Sequence, residues 1–491
     1  MPAPWEALQA VRVGVMQGPE AGLAYEREAI GRLALTPACH NLVNLFFQRE
    51  QAKKLPAELK TNGVKPIKRV GIVGAGTMGA GIAQLAALKG MEVVVREVND
   101  DALSAGMKKI EDLFEKAVAN RVLPLAEAEE KFGAIRRTTS WDGFGHVDLV
   151  VEAVIEDLDL KRTVFRDLEL LTQGSAILAT NTSSLLVAKL QEERNEPERI
   201  AGLHFFNPVH KMPLVEVVRG PATDEATVAT LTQWAIDLGK MPVVVKDSPG
   251  FLVNRILMPY LNEAGLCLAS GPLGPEAIDR AMRRFGMPVG PLELLDQVGI
   301  DVAFHIEQSM RAIVGERFPP NPLLKLMCEG GCFGVKSGAG FYSYRGIKKK
   351  SNVHALTRSS ILGIGTQVGK TLTTPQQAQG GKDALTQRLV LLMVNEAAAC
   401  LSEGIVADAQ TIDTAMVFGT GWAPHRGGPL HYADTLGIGT VVRQLDELKA
   451  KHGPRFEPCA ELRRRAETGG TFYKPAAELA AEFLDAARQE G

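Results

Sequence analysis

The chain has 491 residues, which suggests about three domains rather than one. Its apolar share of 45% and charged share of 23% are those of an ordinary globular chain, and a net charge of −2 gives it no basic surface for nucleic acid. The six cysteines, at 39, 267, 328, 332, 400 and 459, include one close pair and no second pair to complete a zinc site. They read as reduced thiols of a cytosolic protein. The opening Met-Pro-Ala-Pro-Trp-Glu lacks the basic region and apolar core of a signal peptide. No uninterrupted apolar run of membrane-spanning length is present, so no span is expected.

Residues 5–15, 20–35 and 41–54 read as amphipathic helices, the last two separated at Thr36-Pro37. Three helices without a strand make a poor independent core, so residues 1–66 read as a helical extension, either the tail of something or a brace lying on the next domain. The pattern then changes abruptly. Residues 67–73 form a short β-branched strand, followed at once by Gly74-Ala-Gly76-Thr77-Met78-Gly79. Residues 80–89 read as a helix, 91–95 as a second strand, and Glu97 follows. Strand, glycine turn, helix, strand and terminal acid together meet every part of the dinucleotide-binding fingerprint. Gly74 permits the tight turn, Gly76 lets the backbone approach a pyrophosphate, and Gly79 lets helix and strand pack closely. The helix N-terminus at Thr77 and Met78 offers free N–H donors. Glu97 can accept from both ribose hydroxyls and would repel a 2′-phosphate, which favours NAD over NADP. Arg96 beside it should point to the opposite side of the strand.

Helices are expected at 101–119, 125–132 and 158–171, and strands at 147–154 and 176–180. The second of those strands ends in Asn181-Thr-Ser183-Ser, small polar residues where ligands bind in open α/β sheets. The same run would serve equally as a helix N-cap, and the two roles are compatible. His204 ends another apolar strand, Asn207-Pro208 breaks the run, and residues 214–218 form a strand containing Glu216. A histidine and a carboxylate twelve residues apart on neighbouring strands can meet. Such a pair suits general-base chemistry, and equally a structural hydrogen bond. A helix at 224–238 and a strand at 241–245 complete a doubly wound α/β sheet.

From residue 250 to 343 strand signals nearly vanish, and residues 251–270 read as a long helix with Asn254 in its first turn. Residues 346–385 read as a linker or a long exposed loop. A repeat follows. Asn262-Glu-Ala264 recurs as Asn395-Glu-Ala397, Ile278-Asp-Arg-Ala-Met282 as Ile412-Asp-Thr-Ala-Met416, and Asp296 with Gly299-Ile300 as Asp434 with Gly437-Ile438. The expected order is therefore a helical extension (1–66), a Rossmann-type nucleotide domain (67–247), an all-α domain (248–345), the linker, and a second copy of the all-α domain (386–491). The two copies can pack on each other as an internal pseudo-dimer, and a homodimer is the other arrangement open to them.

The glycine fingerprint, Asn-Thr-Ser-Ser, His-Phe-Phe-Asn-Pro-Val, Leu-Val-Glu-Val, Ser-Pro-Gly-Phe-Leu-Val-Asn-Arg and the helical repeat together resemble the 3-hydroxyacyl-CoA dehydrogenases. The duplicated helical domain looks like the multifunctional members, such as the alpha subunit of the bacterial fatty-acid oxidation complex. Residues 1 to about 60 resemble the helices that join an enoyl-CoA hydratase domain to the dehydrogenase. The hydratase body has no counterpart in this sequence, so hydratase activity is not expected of it. The resemblance implies NAD-dependent oxidation of a 3-hydroxyacyl-CoA in β-oxidation. It implies His204 as general base and Glu216 as its orienting carboxylate. Ser183, Asn207 and Asn254 match residues near the substrate hydroxyl, the nicotinamide and the histidine. Glu97 matches the ribose-binding acid, and Glu156 and Lys161 match positions near the cofactor, with Lys161 also near coenzyme A. No metal is implied, and His210, His305, His425 and His431 read as structural or surface residues. Two other functions remain open: a dehydrogenase of a related hydroxy acid, and a docking subunit for a thiolase.

Overall fold

The computed structural model describes residues 2–60, 63–172, 174, 176–270, 273–346, 348–353 and 382–474. Eight strands form one sheet in the order β3-β2-β1-β4-β5-β6-β7-β8. They are β1 (Arg69–Val73), β2 (Glu92–Arg96), β3 (Arg136–Thr138), β4 (Leu149–Glu152), β5 (Ile177–Thr180), β6 (Ile200–Phe205), β7 (Leu214–Arg219) and β8 (Met241–Lys246). Strands β4, β5 and β6 are buried along their whole length, which is why they read as near-continuous apolar runs. All pairings are parallel except β6 with β7. Only the short 206–213 loop joins those two strands, and a parallel crossover needs a dozen or more residues. β7 and β8 therefore run against the rest of the sheet.

The sheet separates two apolar cores. One lies under the helices of the nucleotide side, around Ile72, Val95 and Trp234. The other starts from Val73, Val150 and Leu214 and continues without a break into both helical copies. The helix Val253–Ser270 lies at the centre of this second core and packs along its counterpart Lys382–Ser402. Lys382–Ser402 is long and apolar enough to cross a bilayer, but it is largely buried inside the protein.

Each helical copy is knotted by the same pair of aspartates, of which Asp279, Asp296 and Asp413 are buried and Asp434 is half-buried. Asp279 accepts from the Leu292 and Glu293 N–H groups and the Tyr342 hydroxyl. Its counterpart Asp413 accepts from the Leu430 and His431 N–H groups and the Tyr473 hydroxyl. Asp296 and Asp434 likewise take the Phe341/Tyr342 and Phe472/Tyr473 amides. The sequence repeat is thus a repeat of hydrogen-bond networks.

One expectation needs correction, and a second holds in part. The segment read as a linker from 346 begins with a strand, Lys348–Val353, paired with Tyr342–Arg345; a lysine-rich edge strand has no apolar alternation to reveal it. The remainder of that segment, 354–381, lies outside the described residues. Of the N-terminal helices α1 (Ala3–Gln17), α2 (Pro19–Ala34) and α3 (Pro37–Gln51), α3 braces the second helical copy, while the adjoining nucleotide domain is met by Leu59, in its core, and by the Lys65 N–H, which donates to Thr230. The Asn41 amide donates to the His425 carbonyl, and Thr414 donates to Gln48. α1 and α2 pack chiefly on each other, in contact at Gly14 and Gly22.

Candidate active site

The turn after β1 is shaped by its glycines. Gly74 has φ +92°, and a Cβ there would sit 2.7 Å from the Ala153 carbonyl oxygen. A Cβ on Gly79 would lie 1.9 Å from the Gly74 oxygen. At Gly76, by contrast, a Cβ would meet nothing within 4 Å. The space over Gly76 is open, where the backbone of the turn can meet a ligand's phosphates. The helix Thr77–Leu88 begins there with Gly76 as its N-cap, so the N–H groups of its first turn, including those of Thr77 and Met78, are free to donate to an anion. Glu97 folds back over this turn, accepting from the Ala75 N–H at 2.5 Å. Arg96 is drawn to the other side, its guanidinium 3.9 Å over the Trp141 ring. These residues fit a dinucleotide with an unphosphorylated ribose.

His204 and Glu216 are direct partners in the antiparallel register of β6 and β7. His204 Nδ1 and Glu216 Oε2 are 2.6 Å apart, and both residues are buried. The other oxygen of Glu216 accepts from the Leu252 and Val253 N–H groups at 3.0 and 2.9 Å. The carboxylate is therefore held from both sides, by the imidazole and by the N-terminal turn of the Val253–Ser270 helix. The rings of Phe206 and Phe251 flank the imidazole, with centroids 4.5 and 5.7 Å away.

Asn254, in that same helical turn, reaches the Ser183 carbonyl at 3.5 Å. The Asn181-Thr-Ser-Ser turn is organised by Glu156, whose Oε1 accepts from the Thr182 and Ser184 hydroxyls and the Ser183 and Ser184 N–H groups. Asn181 accepts from the Phe205 N–H, next to His204. Burial pushes the Glu156 carboxyl up, but Lys161 and these donors outweigh it and hold the group below its usual range. Asn207 is exposed, three residues beyond the histidine, and its bond to Pro208 is cis.

Lys161 lies behind the Glu156 turn. Its side chain is fully buried, with Nζ 2.7 and 2.9 Å from the two oxygens of Glu152 and 3.4 Å from Glu156. Its charge is matched there by these two carboxylates. Glu152 also accepts from the Thr180 hydroxyl; it lies in the strand expected at 147–154, and its pairing with Lys161 could not be read there.

The chain matches the model of the 3-hydroxyacyl-CoA dehydrogenase NAD-binding domain over residues 69–248. It matches that of the 3-hydroxyacyl-CoA dehydrogenase C-terminal domain twice, over 250–344 and 385–479. Among solved structures it is similar to 3-hydroxybutyryl-CoA dehydrogenase from Escherichia coli K12, at 30% identity over 82% of this chain and 99% of that one, with a TM-score of 0.70. The (S)-3-hydroxybutyryl-CoA dehydrogenase of Ralstonia eutropha is 37% identical over 57% of this chain and 100% of its own, with a TM-score of 0.55. The dehydrogenase part of multifunctional enzyme 1 from C. elegans is 25% identical over 85% and 96%, with a TM-score of 0.59. With its nucleotide turn, its buried His–Glu pair and two copies of the C-terminal domain, the chain belongs to the 3-hydroxyacyl-CoA dehydrogenase family, and is an NAD-dependent oxidoreductase of that family.

Proposed function

We propose that the chain oxidises (S)-3-hydroxyacyl-CoA to 3-oxoacyl-CoA in fatty-acid β-oxidation, with His204 as general base and Glu216 as the carboxylate that orients it. The observation that carries this reading is the 2.6 Å contact between His204 Nδ1 and a Glu216 whose second oxygen is already engaged by two amides. With Nδ1–H donating to Glu216, Nε2 is left as the acceptor, the tautomer a base requires. His204 then takes the hydroxyl proton at Nε2, and Glu216 stabilises the imidazolium that forms. NAD, held at the Gly74–Gly79 turn and Glu97, would supply the hydride acceptor for C3.

The remaining roles follow from position. Ser183 and Asn254, brought together across the cleft between sheet and helical copy, hold the substrate hydroxyl in line. Asn207 lies beyond them on the exposed side. Gly74, Gly76, Thr77, Met78 and Gly79 receive the pyrophosphate, and Glu97 receives the adenosine ribose. Glu156 contributes by fixing the Ser183 turn beside the nicotinamide site, with Lys161 behind it.

His204→Gln should lower the reduction of acetoacetyl-CoA by NADH by at least about 10²-fold, the lower end of what a positioned general base supplies, while the Kd for NADH changes little. Full activity in that variant would refute the assignment. Assaying free 3-oxo acids beside acetoacetyl-CoA separates this substrate from a hydroxy acid without coenzyme A.

A further inference from the structure

Arg255 follows Asn254 in the first turn of the Val253–Ser270 helix and is only 4% exposed. Its guanidinium crosses from the first helical copy into the second. Nε donates to Glu396 at 2.8 Å and Nη2 to Glu403 at 2.6 Å. The turn held in this way carries three groups of the site: the Leu252 and Val253 N–H groups on Glu216, and the Asn254 amide on Ser183. The second copy touches the same region twice more. Gly419 packs so tightly on Leu214 and Val253 that a Cβ there would lie 2.7 Å from Leu214, and the Ile405 carbonyl accepts from Lys246 at the end of β8.

The repeat makes this contact twice. The register that aligns Asn262 with Asn395 carries Arg255 onto Arg388 and Glu396 onto Glu263. Arg388 Nε donates to Glu263 at 2.6 Å, the reciprocal bond. Arg317 supports Glu396 as Arg455 supports Glu263. At the far end, however, the residue aligned with Asn254 is Gln387, which is exposed. One ion pair ends in an active site, and its twin does not.

We propose that Glu396 is a positioning residue for the dehydrogenase reaction. By holding Arg255 it fixes the turn that presents Asn254 and clamps Glu216, so the second helical copy completes an active site to which it adds no reacting group. The first turn of a helix has no intrahelical acceptors for its N–H groups and frays unless anchored, and small displacements of orienting groups cost rate steeply. The inference rests on the reading of His204 and Glu216 as the catalytic pair.

Glu263→Gln is the internal control, because it breaks the reciprocal bond, to the less buried Arg388, away from the site. Both Glu396→Gln and Glu263→Gln should lower the Tm. Only Glu396→Gln should lower kcat for acetoacetyl-CoA reduction, by about tenfold or more, with the Kd for NADH unchanged in both. Equal kcat losses in the two variants, or full kcat in Glu396→Gln, overturn the proposal. Should Glu396→Gln not fold, Glu403→Gln, the more exposed partner of the same guanidinium, is scored against Glu263→Gln by the same rule. His204→Gln, assayed in parallel, separates the two ideas. If it remains active, the catalytic reading fails. If it is inactive while Glu396→Gln is fully active, only the positioning role fails.

Discussion

At the scale of single residues the site depends on how Glu216 divides its two oxygens. One accepts two backbone amides and the other faces the imidazole, so every neighbour is a donor. A glutamine has the same shape but can satisfy only one side. Its NH₂ group must either oppose the helix amides or turn Nδ1 of His204 into an acceptor, which would put the proton on Nε2. Glu216→Gln should therefore lower kcat by about 10³- to 10⁴-fold, the scale of a wrong tautomer in a catalytic triad, and leave NADH binding measured by fluorescence near the wild-type value. The pairing of His204 with Glu216 was legible because a short loop joins the two strands, so the partners are local. Arg255 and Glu396 are separated by a linker and most of a domain. They meet only because the two copies pack face to face, which neither stretch of sequence states alone. The partners of Lys161 were hidden for a related reason: an amphipathic helix shows which residues face inward, but not that an inward lysine finds two carboxylates there.

At the scale of elements, long buried strands and helices were readable, and short polar ones were not. β3, Arg-Arg-Thr, has only exposed and half-buried residues and joins the sheet by backbone pairing alone. The turns within the helical copies depend on aspartates whose partners lie far along the chain. Burial pushes the carboxyls of Asp296 and Asp413 up to about 7, against about 3.9 in an unfolded chain. Between those values the folded protein binds more protons than the unfolded one, so these groups reduce stability as pH rises from about 4 to about 7. Asp413→Asn cannot ionise. Relative to that variant, the wild type should have its largest Tm advantage at or below about pH 4 and lose it progressively up to about pH 7. A constant difference across that range in thermal unfolding would contradict the argument.

At the scale of the whole molecule, the apolar surface is unevenly distributed. Twelve of the 21 large apolar side chains exposed among the described residues lie between Trp5 and Phe47. Within that segment α3 turns Asn41, Leu45 and Gln48 inward, whereas α1 buries none of its residues. Removing residues 1–35 should leave kcat unchanged and the Tm nearly so. Extending the deletion to residue 54 uncovers the second helical copy and loses buried Leu45, worth about 1.5–3 kcal/mol by transfer alone. That longer deletion should lower the Tm by several degrees, as calorimetry of the two truncations would show.

The reciprocal arginine–glutamate contacts also bear on how such a protein can change over time. In a symmetric pair of identical chains, every substitution at the shared face occurs at both ends of the axis at once. Here each end is encoded separately. A change at Arg388 or Glu263 alters the packing of one end and leaves its twin at Arg255 and Glu396 as it was. One half of the duplication is free to drift, to gain contacts or to lose them, while the other stays bound to the chemistry. Asn254 at one end and an exposed Gln387 at the other are the form that this freedom takes in the present chain.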